Sequence, residues 1–270
     1  MSRVRVVCDD KNSRVCVVTI AREPKANALD RETMGELRAA CDASSSATCV
    51  VLRGAGASFC AGIDIGELER IIKSGERESK SCEGRRRAEV LRVVEEMQTA
   101  FSAFERTESV TIAAVRGACF GAGVDLITAC DIRLCSPDAK FCVKEVDLGI
   151  CADVGTTQRL PSVVGHARAM ELCLTARVVS ASEALSMGLV SEVCDDVDAR
   201  ALALAREIAK KSPLAIRGTK RVLLRQRDHP NVRDGLHYVA MNSAAMLLSD
   251  DLYESLRARA EKREPIYAKL

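Results

Sequence analysis

The stretch TIAAVRGACFGAGVDLITACDI, from Thr111 to Ile132, carries the clearest signal for the fold of this chain. Its apolar and partly β-branched start, Thr111–Val115, predicts a buried strand. The segment RGACFGAG that follows predicts a glycine-rich turn, and the apolar run from Val124 predicts the start of a helix. A strand, a tight turn and a helix in succession are typical of an α/β core.

The same alternation of strands and helices extends from the N-terminus to about residue 145. Further strands are predicted at residues 15–20, 49–52, 133–135 and 140–143. Asp30 is a predicted N-cap for the helix that follows it, and residues 66–108 read as a long helical region with a solvated charged section inside. Helices predominate beyond Gly155, at residues 165–178, 181–189, 198–211, 213–227 and 231–263. We therefore predict an α/β core over residues 1–195 and a helical C-terminal region over residues 196–270.

Composition excludes several classes of function. With 47% hydrophobic and 29% charged residues, the 270-residue chain can build a large core. Its 40 basic residues nearly balance its 38 acidic ones, whereas a nucleic-acid binder usually has a strongly basic face. Charges stand where a signal peptide needs its apolar run, and no stretch reaches the roughly 20 apolar residues of a membrane span. We expect neither a nucleic-acid partner nor a membrane span.

The thirteen cysteines are interpreted as free thiols. Most of them stand in apolar segments, such as Cys16 in VCVVTI and Cys130 in ITACDI, where cysteine acts as a small hydrophobic residue. An odd count without a signal peptide favours a reducing compartment. There is no CxxC pair, and the three histidines have no metal-ligand spacing, so we expect no metal site.

Two glycine-bearing turns follow apolar strands: SFCAGIDIGE, from Ser58, and GACFGAGVDL, from Gly117. Neither matches a P-loop or the dinucleotide fingerprint GxGxxG. Such turns present free backbone N–H groups, and two of these aimed at one point would form an oxyanion hole for a carbonyl oxygen that gains negative charge. The alternative is that both segments are only tight turns.

The segment KEVDLGICADVG, Lys144 to Gly155, carries Glu145, Asp147 and Asp153 among apolar residues. An unpaired carboxylate is costly to bury, so either the pKa values of these groups are shifted for catalysis or each has a basic partner that holds the fold. For Asp153, N-capping of the next helix is a further alternative. Asp125 stands at the start of an apolar helix, where the helix dipole favours an anion.

Four segments occur in the order typical of the crotonase (enoyl-CoA hydratase/isomerase) superfamily, and the resemblance extends over about residues 10 to 265. They are PKANALD, SFCAGIDIGEL, AAVRGACFGAGVDLITACDIRLCSPDAKF and LGICADVGTTQRLPSVVGHARAMEL. Within the superfamily the chain looks like the Δ3,5-Δ2,4-dienoyl-CoA isomerases, since most hydratases carry Glu at the position of Asp125 and glycine at that of Asp153. The resemblance implies a spiral of ββα turns with a helical C-terminal region that forms homotrimers, or hexamers made of two trimers.

The resemblance also implies a reaction, the shift of a 3,5-dienoyl-CoA to a 2,4-dienoyl-CoA in the β-oxidation of unsaturated fatty acids. No cofactor is implied, because CoA is part of the substrate. Glu145 and Asp153 would be the proton-transfer pair, with Asp125 as a third carboxylate. The N–H groups of Ile63 and Ala122 would form the oxyanion hole, although Ala122 replaces the usual glycine. The acyl-CoA would be bound by Ala26, Ala28, Ala61, Gly62, Ile63, Asp64, Ile65 and Ala122.

The last three residues, Ala268, Lys269 and Leu270, resemble the C-terminal SKL tripeptide that the peroxisomal import receptor binds. They favour a peroxisome or a related organelle such as a glycosome over mitochondria or cytosol. Two alternative functions remain. A 2-enoyl-CoA hydratase could use Asp125 and Glu145 but leaves Asp153 unexplained. A non-catalytic CoA- or RNA-binding relative fits poorly with a nearly neutral chain that holds three acids.

Overall fold

The computed structural model describes residues 2–70 and 82–268 and contains two β-sheets surrounded by helices. The larger sheet has the strand order β1-β2-β3-β4-β6-β9, and the smaller one has the order β5-β7-β8. The strands are β1 (Val4–Asp9), β2 (Asn12–Ile20), β3 (Cys49–Gly54), β4 (Val110–Val115), β5 (Ala118–Phe120), β6 (Ile132–Cys135), β7 (Lys140–Cys142), β8 (Val179–Ser180) and β9 (Glu192–Val193). Only the β1–β2 and β7–β8 pairs are antiparallel among these described strands.

Helices connect the strands and make up the C-terminal part. They are α1 (Arg31–Ala43), α2 (described over residues 65–70), α3 (Glu83–Arg106), α4 (Ala122–Thr128), α5 (Thr156–Val164), α6 (His166–Thr175), α7 (Ala181–Ser186), α8 (Val197–Ala209), α9 (Pro213–Asp228), α10 (Val232–Met246) and α11 (Asp250–Ala260). Two short 3-10 helices cover Glu23–Lys25 and Glu145–Leu148. No helix among the residues described is long and apolar enough to cross a membrane.

This architecture confirms the predicted α/β class with a helical C-terminal part. Asp30 is the N-cap of α1, where its carboxylate accepts a hydrogen bond from the N–H of Thr33. The single helix predicted over residues 231–263 is wrong, because Ser249 starts a second helix after α10. The long helical region predicted over residues 66–108 is present at both ends, and residues 71–81 lie outside the described part.

Helices pack against both faces of the larger sheet. On one face, α1, α3, α4 and α5 enclose the main apolar core, in which Phe59, Phe101 and Phe104 are fully buried. On the other face, α8 packs Ala201 and Ala205 against the strands, since small side chains let a helix approach a sheet closely. The predicted division at residue 195 assigns α8 to the C-terminal region, although α8 covers the sheet of the core.

Beyond α8, apolar side chains lie on the surface. α10 has no buried residue, and α11 buries three. The exposed apolar side chains of this part, here called the C-terminal apolar surface, are Leu223, Val232, Leu236, Met241, Leu247, Leu248, Leu252, Tyr253, Leu256 and Ile266.

Gly117 provides a test of the close packing between its own turn and the segment of Ala57. Its φ is +55°, and a Cβ there would lie 2.1 Å from the carbonyl oxygen of Ala57. We expect Gly117→Ala to lower the free energy of unfolding by about 3–5 kcal/mol, measured by chemical denaturation. Gly35→Ala is the matched control, because a Cβ at this exposed helical position meets no atom within 4 Å. It should raise stability by about 0.5–1 kcal/mol, and equal effects of both variants would contradict the packing argument.

Candidate active site

A parallel backbone bridge joins the two glycine-bearing turns. The N–H of Cys60 donates to the carbonyl of Ala118 at 3.0 Å, and the N–H of Phe120 donates to the carbonyl of Cys60 at 2.9 Å. Gly62, with φ of +104°, lies so close to the second turn that its Cβ would be 3.2 Å from the carbonyl oxygen of Phe120. The two turns therefore meet, although nearly 60 residues separate them along the chain.

The predicted oxyanion donors lie at this meeting point. A Cβ on Gly62 would lie 4.0 Å from the backbone nitrogen of Ala122, which is the first residue of α4. Among the hydrogen bonds of the described residues, neither Ile63 nor Ala122 donates its N–H to a protein acceptor. The site thus presents two backbone donors, on adjacent turns, that remain free for a ligand. Their role as an oxyanion hole stays a prediction.

A third turn, which carries the predicted CoA-binding residues Ala26 and Ala28, packs against the first. The N–H of Ala61 donates to the carbonyl of Ala26 at 3.0 Å, and the N–H of Leu29 donates to the carbonyl of Gly62 at 2.8 Å. The predicted CoA-binding residues of both turns therefore lie together. Ile65, which begins the described part of α2, is 70% exposed.

Asn27 holds this third turn in place and was missed by the sequence analysis. Its side chain is buried, and its Nδ2 donates to the carbonyls of Ala55 and Ser58 at 2.8 and 2.7 Å. Its Oδ1 accepts from the N–H of Arg22 at 2.9 Å. The backbone at Asn27 has φ of +58°, a conformation that asparagine adopts more readily than other non-glycine residues. The sequence feature that could have indicated this role is an asparagine between two alanines.

Asp64, one of the predicted CoA-binding residues, forms an ion pair. Its Oδ2 lies 3.0 Å from the guanidinium of Arg22, which also contacts Asp30 at 3.0 Å. Burial acts to raise the pKa of Asp64, but hydrogen bonds from Arg22 and the N–H of Gly66, with the charges of Arg22 and Lys25, together hold it below its usual value. The side chain of Asp64 therefore stabilises the turn as a carboxylate.

Asp125 lies in the first turn of α4, as predicted, and is fully buried. Its Oδ1 accepts a hydrogen bond from the N–H of Thr156 at 2.5 Å, whereas its Oδ2 has no hydrogen-bond partner. Burial raises the pKa of Asp125 to about 6, against the opposing effect of Thr156. This carboxyl group joins α4 to the start of α5 and retains one free oxygen.

Glu145 begins a 3-10 helix and does not end a strand, because β7 already stops at Cys142. The N–H of Gly121 donates to the carbonyl of Cys142 at 2.8 Å, which brings this segment to the oxyanion turn. Glu145 is 9% exposed, and its Oε1 lies 3.3 Å from the position that a Cβ of Gly121 would take. Its Oε2 has no hydrogen-bond partner. Burial and the nearby charge of Asp125 raise the pKa of Glu145 to about 7.

Asp153 lies in the loop before α5 with an exposed side chain. N-capping does not explain it, because Gly155 occupies the N-cap position of α5 and no side chain caps that helix. Partial burial raises the pKa of Asp153, and its charge in turn raises the pKa values of Asp125 and Glu145. The three predicted carboxylates therefore form one electrostatically connected cluster.

Asp147 is different from these three acids. It is exposed and forms an ion pair with Lys144, three residues before it. For this residue the alternative reading of the sequence is right, since a basic partner accounts for the charge.

An apolar cavity of about 560 Å³ opens beside Glu145. The cavity lining includes Val143, Val146, Ile150, Ala152, Pro161, Ala169, Met170, Cys173 and Leu174. Asp125 and Asp153 do not line it. A carboxyl group with a raised pKa at the edge of an apolar cavity can exchange a proton with a carbon acid bound there.

Arg159 supports the loop of Asp153 and was also missed. Its buried guanidinium donates to Glu105 at 3.1 Å and to the hydroxyl of Ser102 at 2.8 Å. It passes so close to Gly155 that a Cβ there would lie 1.8 Å from its Nη1. On the other side, Gln98 of α3 donates to the carbonyl of Asp153 at 2.7 Å. These contacts fix the backbone that carries Asp153.

Comparison with known proteins identifies the family of this chain. Residues 10–269 match the family model described as enoyl-CoA hydratase/isomerase. The chain belongs to this family. It is 46% identical to the peroxisomal Δ3,5-Δ2,4-dienoyl-CoA isomerase of Arabidopsis thaliana, over 99% of this chain and 97% of that protein. It is 44% identical to the human mitochondrial enzyme of the same name, over 92% of this chain and 76% of that protein.

Solved structures agree with this assignment. The enoyl-CoA hydratase of Bacillus anthracis superposes with a TM-score of 0.86 at 30% identity, and the match covers 98% of both chains. A putative enoyl-CoA hydratase of Streptomyces coelicolor gives a TM-score of 0.87 at 30% identity, over 98% of this chain and 94% of that one. The predicted crotonase-like fold is thereby confirmed. Across residues 2–70 and 82–268, no group of three or more His, Cys, Asp or Glu side chains could hold a metal ion.

The raised pKa of Glu145 predicts a pH-dependent cost in stability. Its pKa rises from 4.5 to about 7 on folding, so folding becomes less favourable as the pH rises through this interval. Glu145→Gln removes the titration. At about pH 8 we expect the variant to exceed the wild type in unfolding free energy by on the order of 1–2 kcal/mol, and at about pH 4 to equal it, in urea denaturation.

The matched control is Asp147→Asn, which alters an exposed ion pair on the same 3-10 helix. This variant should follow the wild type within about 0.5 kcal/mol at both pH values. A Glu145→Gln protein that is less stable than the wild type at about pH 8 would contradict the reading of Glu145 as a buried, unpaired carboxylate.

Proposed function

We propose that this protein is an isomerase that converts 3,5-dienoyl-CoA thioesters into 2,4-dienoyl-CoA thioesters during the oxidation of unsaturated fatty acids. The observation that carries the proposal is the cluster of three acids, in which Asp125 and Glu145 each keep a buried oxygen without a partner. The relatives named as dienoyl-CoA isomerases support the same reaction. No cofactor takes part, because the reaction moves protons only.

In the proposed mechanism the thioester oxygen accepts hydrogen bonds from the N–H groups of Ile63 and Ala122. Negative charge moves onto this oxygen when the C2 proton leaves, and two donors fixed in advance stabilise that charge without reorganisation. The turns at Ala26–Ala28 and Ala61–Ile65 hold the pantetheine end of the substrate.

Glu145 removes the proton from C2, and Asp153 delivers a proton to C6. Two separate groups are needed because these carbons lie at opposite ends of the diene. At neutral pH a pKa of about 7 leaves Glu145 partly ionised, which suits a general base. Asp125 keeps its hydrogen bond with the N–H of Thr156 and tunes the pKa of Glu145 by its charge.

Hydration of a 2-enoyl-CoA is the second candidate function. Asp125 and Glu145 lie close enough to influence each other and could hold one water between their free oxygens. The family includes relatives such as the probable enoyl-CoA hydratase 2 of Arabidopsis thaliana, at 32% identity. Hydration gives Asp153, whose pKa is raised, no role in the reaction. Isomerisation is therefore the favoured function.

An absorbance assay separates the candidates. With 3,5-octadienoyl-CoA, we expect growth of the ultraviolet band of a dienoyl thioester conjugated through C2 and C4. A hydratase would instead remove the absorbance of a 2-enoyl-CoA, and a non-catalytic relative would change neither substrate. Absence of the conjugated product with a protein that binds CoA thioesters would refute the isomerase proposal.

Substitutions at the two proposed proton-transfer groups test the mechanism. Glu145→Gln and Asp153→Asn should each lower kcat by at least about 100-fold while KM changes little, because shape is kept and the exchangeable proton is lost. In the wild type, kcat/KM should rise with pH through about 7 as Glu145 ionises. Asp125→Asn should be milder than both.

Isotope exchange in deuterated water shows which of the two groups removes the C2 proton. With Asp153→Asn, deuterium should still enter C2 of unreacted substrate, whereas Glu145→Gln should block this exchange. The opposite pattern would show that the two roles are reversed. Full activity of both variants would contradict the proposed mechanism.

Ala122 allows a specific test of the oxyanion hole. It is the first residue of α4, the helical position at which proline is tolerated. Ala122→Pro removes the N–H donor, and we expect kcat to fall by about 100- to 1000-fold. Ala122→Gly is the matched control, because it keeps the N–H and should retain activity within about tenfold. A folded proline variant with near-normal turnover would contradict the role of this donor.

We propose a peroxisomal or glycosome-like location. The peroxisomal relative supports it, and Ala268-Lys269-Leu270 resembles a targeting tripeptide. Ala268 is exposed, and Lys269 and Leu270 lie outside the described residues. A fluorescent protein fused before the native N-terminus should enter peroxisomes, and removal of the three residues should leave it cytosolic with activity intact. A mitochondrial signal from the full chain would overturn the proposal.

We also propose that the chain assembles as a homotrimer or as a hexamer. The C-terminal apolar surface supports this, because an exposed apolar surface of such extent usually marks an interface.

A further inference from the structure

Two of the thirteen thiols lie in direct contact at the edge of the larger sheet. Cys8 of β1 and Cys16 of β2 are directly opposite each other in the antiparallel register. Their sulfur atoms are 3.3 Å apart. Among the described residues, this is the one pair of thiols that hydrogen-bond to each other.

The register places this pair where cross-strand side chains approach most closely. The N–H of Ala21 donates to the carbonyl of Arg3 at 2.7 Å, which makes residues 3 and 21 a hydrogen-bonded pair. Because such pairs alternate along an antiparallel ladder, Cys8 and Cys16 form a pair of the non-hydrogen-bonded type. In that type the Cα atoms are about 4.5 Å apart, which lies within the range of disulfide bonds.

The two thiols differ in their access to solvent. Cys8 is exposed, whereas Cys16 is 5% exposed and faces the core. A small oxidant therefore reaches Cys8, and the neighbouring thiol already in contact with it is Cys16. Cys82 and Cys151 are also exposed, but the hydrogen bond of the Cys151 thiol goes to the carbonyl of Ala152.

We propose that Cys8 and Cys16 form a reversible disulfide when Cys8 reacts with a peroxide. In the first step the Cys8 sulfur attacks one peroxide oxygen, the O–O bond breaks, and Cys8 sulfenic acid and an alcohol or water are formed. In the second step the Cys16 sulfur displaces the hydroxyl group, which leaves as water with the thiol proton. The protein loses two electrons to the peroxide, and an external dithiol returns them by exchange.

The surrounding contacts keep the two strands in place during this reaction. At one end of β1, the N–H groups of Arg3 and Val4 both donate to the carboxylate of Glu36 at 2.8 Å. At the other end, Asp9 binds the guanidinium of Arg206 at 2.6 and 2.7 Å. The sulfurs need to approach by only about 1.3 Å to bond, since a disulfide length is about 2.0 Å. The bond would link an edge strand, which has one neighbour in the sheet, covalently to β2.

Peptide mapping after treatment of the full-length protein with hydrogen peroxide tests the proposal. Remaining thiols are alkylated, and trypsin is used without a reductant. We expect a cross-linked pair of peptides, VVCDDK (Val6–Lys11) and VCVVTIAR (Val15–Arg22), that separates on addition of a dithiol. The cross-link should be absent from Cys8→Ser and Cys16→Ala. The matched control is Cys151→Ser, which removes another exposed thiol and should leave the cross-link intact.

Thermal unfolding gives an independent readout. Peroxide followed by removal of the oxidant should raise Tm of the wild type and of Cys151→Ser, and a dithiol should reverse the shift. Cys8→Ser should show no rise, which separates the disulfide from general oxidation. Cys8 found as a sulfinic or sulfonic acid, or joined to any thiol other than Cys16, would overturn the proposal, as would an equal Tm shift in Cys8→Ser.

Discussion

The parallel bridge between Cys60 and Cys119 is the contact on which the site depends. It brings two turns from distant parts of the chain to within van der Waals distance. This is possible because glycine, which has no side chain, stands at the contact. A Cβ on Gly123 would lie 3.0 Å from the carbonyl oxygen of Cys60 and 3.1 Å from its Cβ. The bridge brings the turns that carry Ile63 and Ala122 next to each other. Through the hydrogen bond from Gly121 to Cys142, the same turn also positions the segment of Glu145.

Sequence patterns could predict the strands that are apolar and buried along most of their length. β3 and β4 were predicted because nearly all of their residues are apolar and buried. β1 was missed, and in the structure only Val4 of this edge strand is buried. α10 and α11 were predicted as one helix because the Leu247-Leu248 pair between them continues the apolar pattern. The break falls between the C-cap Leu247 of α10 and the N-cap Ser249 of α11.

The candidate site was predictable only in part from local sequence. Glycine patterns indicate that the turns of Gly62 and Gly121 can present N–H groups, but their meeting is a tertiary contact that came from the family resemblance. Asn27 and Arg159 were missed because each acts through partners far along the chain, the former on Ala55 and the latter on Glu105. A residue that supports a loop leaves little trace in the pattern of its own neighbours.

The three acids of the cluster influence each other electrostatically. Asp125 keeps a hydrogen bond from the N–H of Thr156, which favours its ionised form, whereas Oε2 of Glu145 has no hydrogen-bond partner. Burial is the main cause of the raised pKa of both groups, and the charge of Asp125 adds to the effect at Glu145, whose pKa is raised to about 7. A base poised near neutral pH accepts a proton from carbon and releases it again with little bias. The buried Asp125 thus adds to the proton affinity that burial gives Glu145, and the apolar core on which α4 packs supplies the stability that offsets the cost of burying both groups.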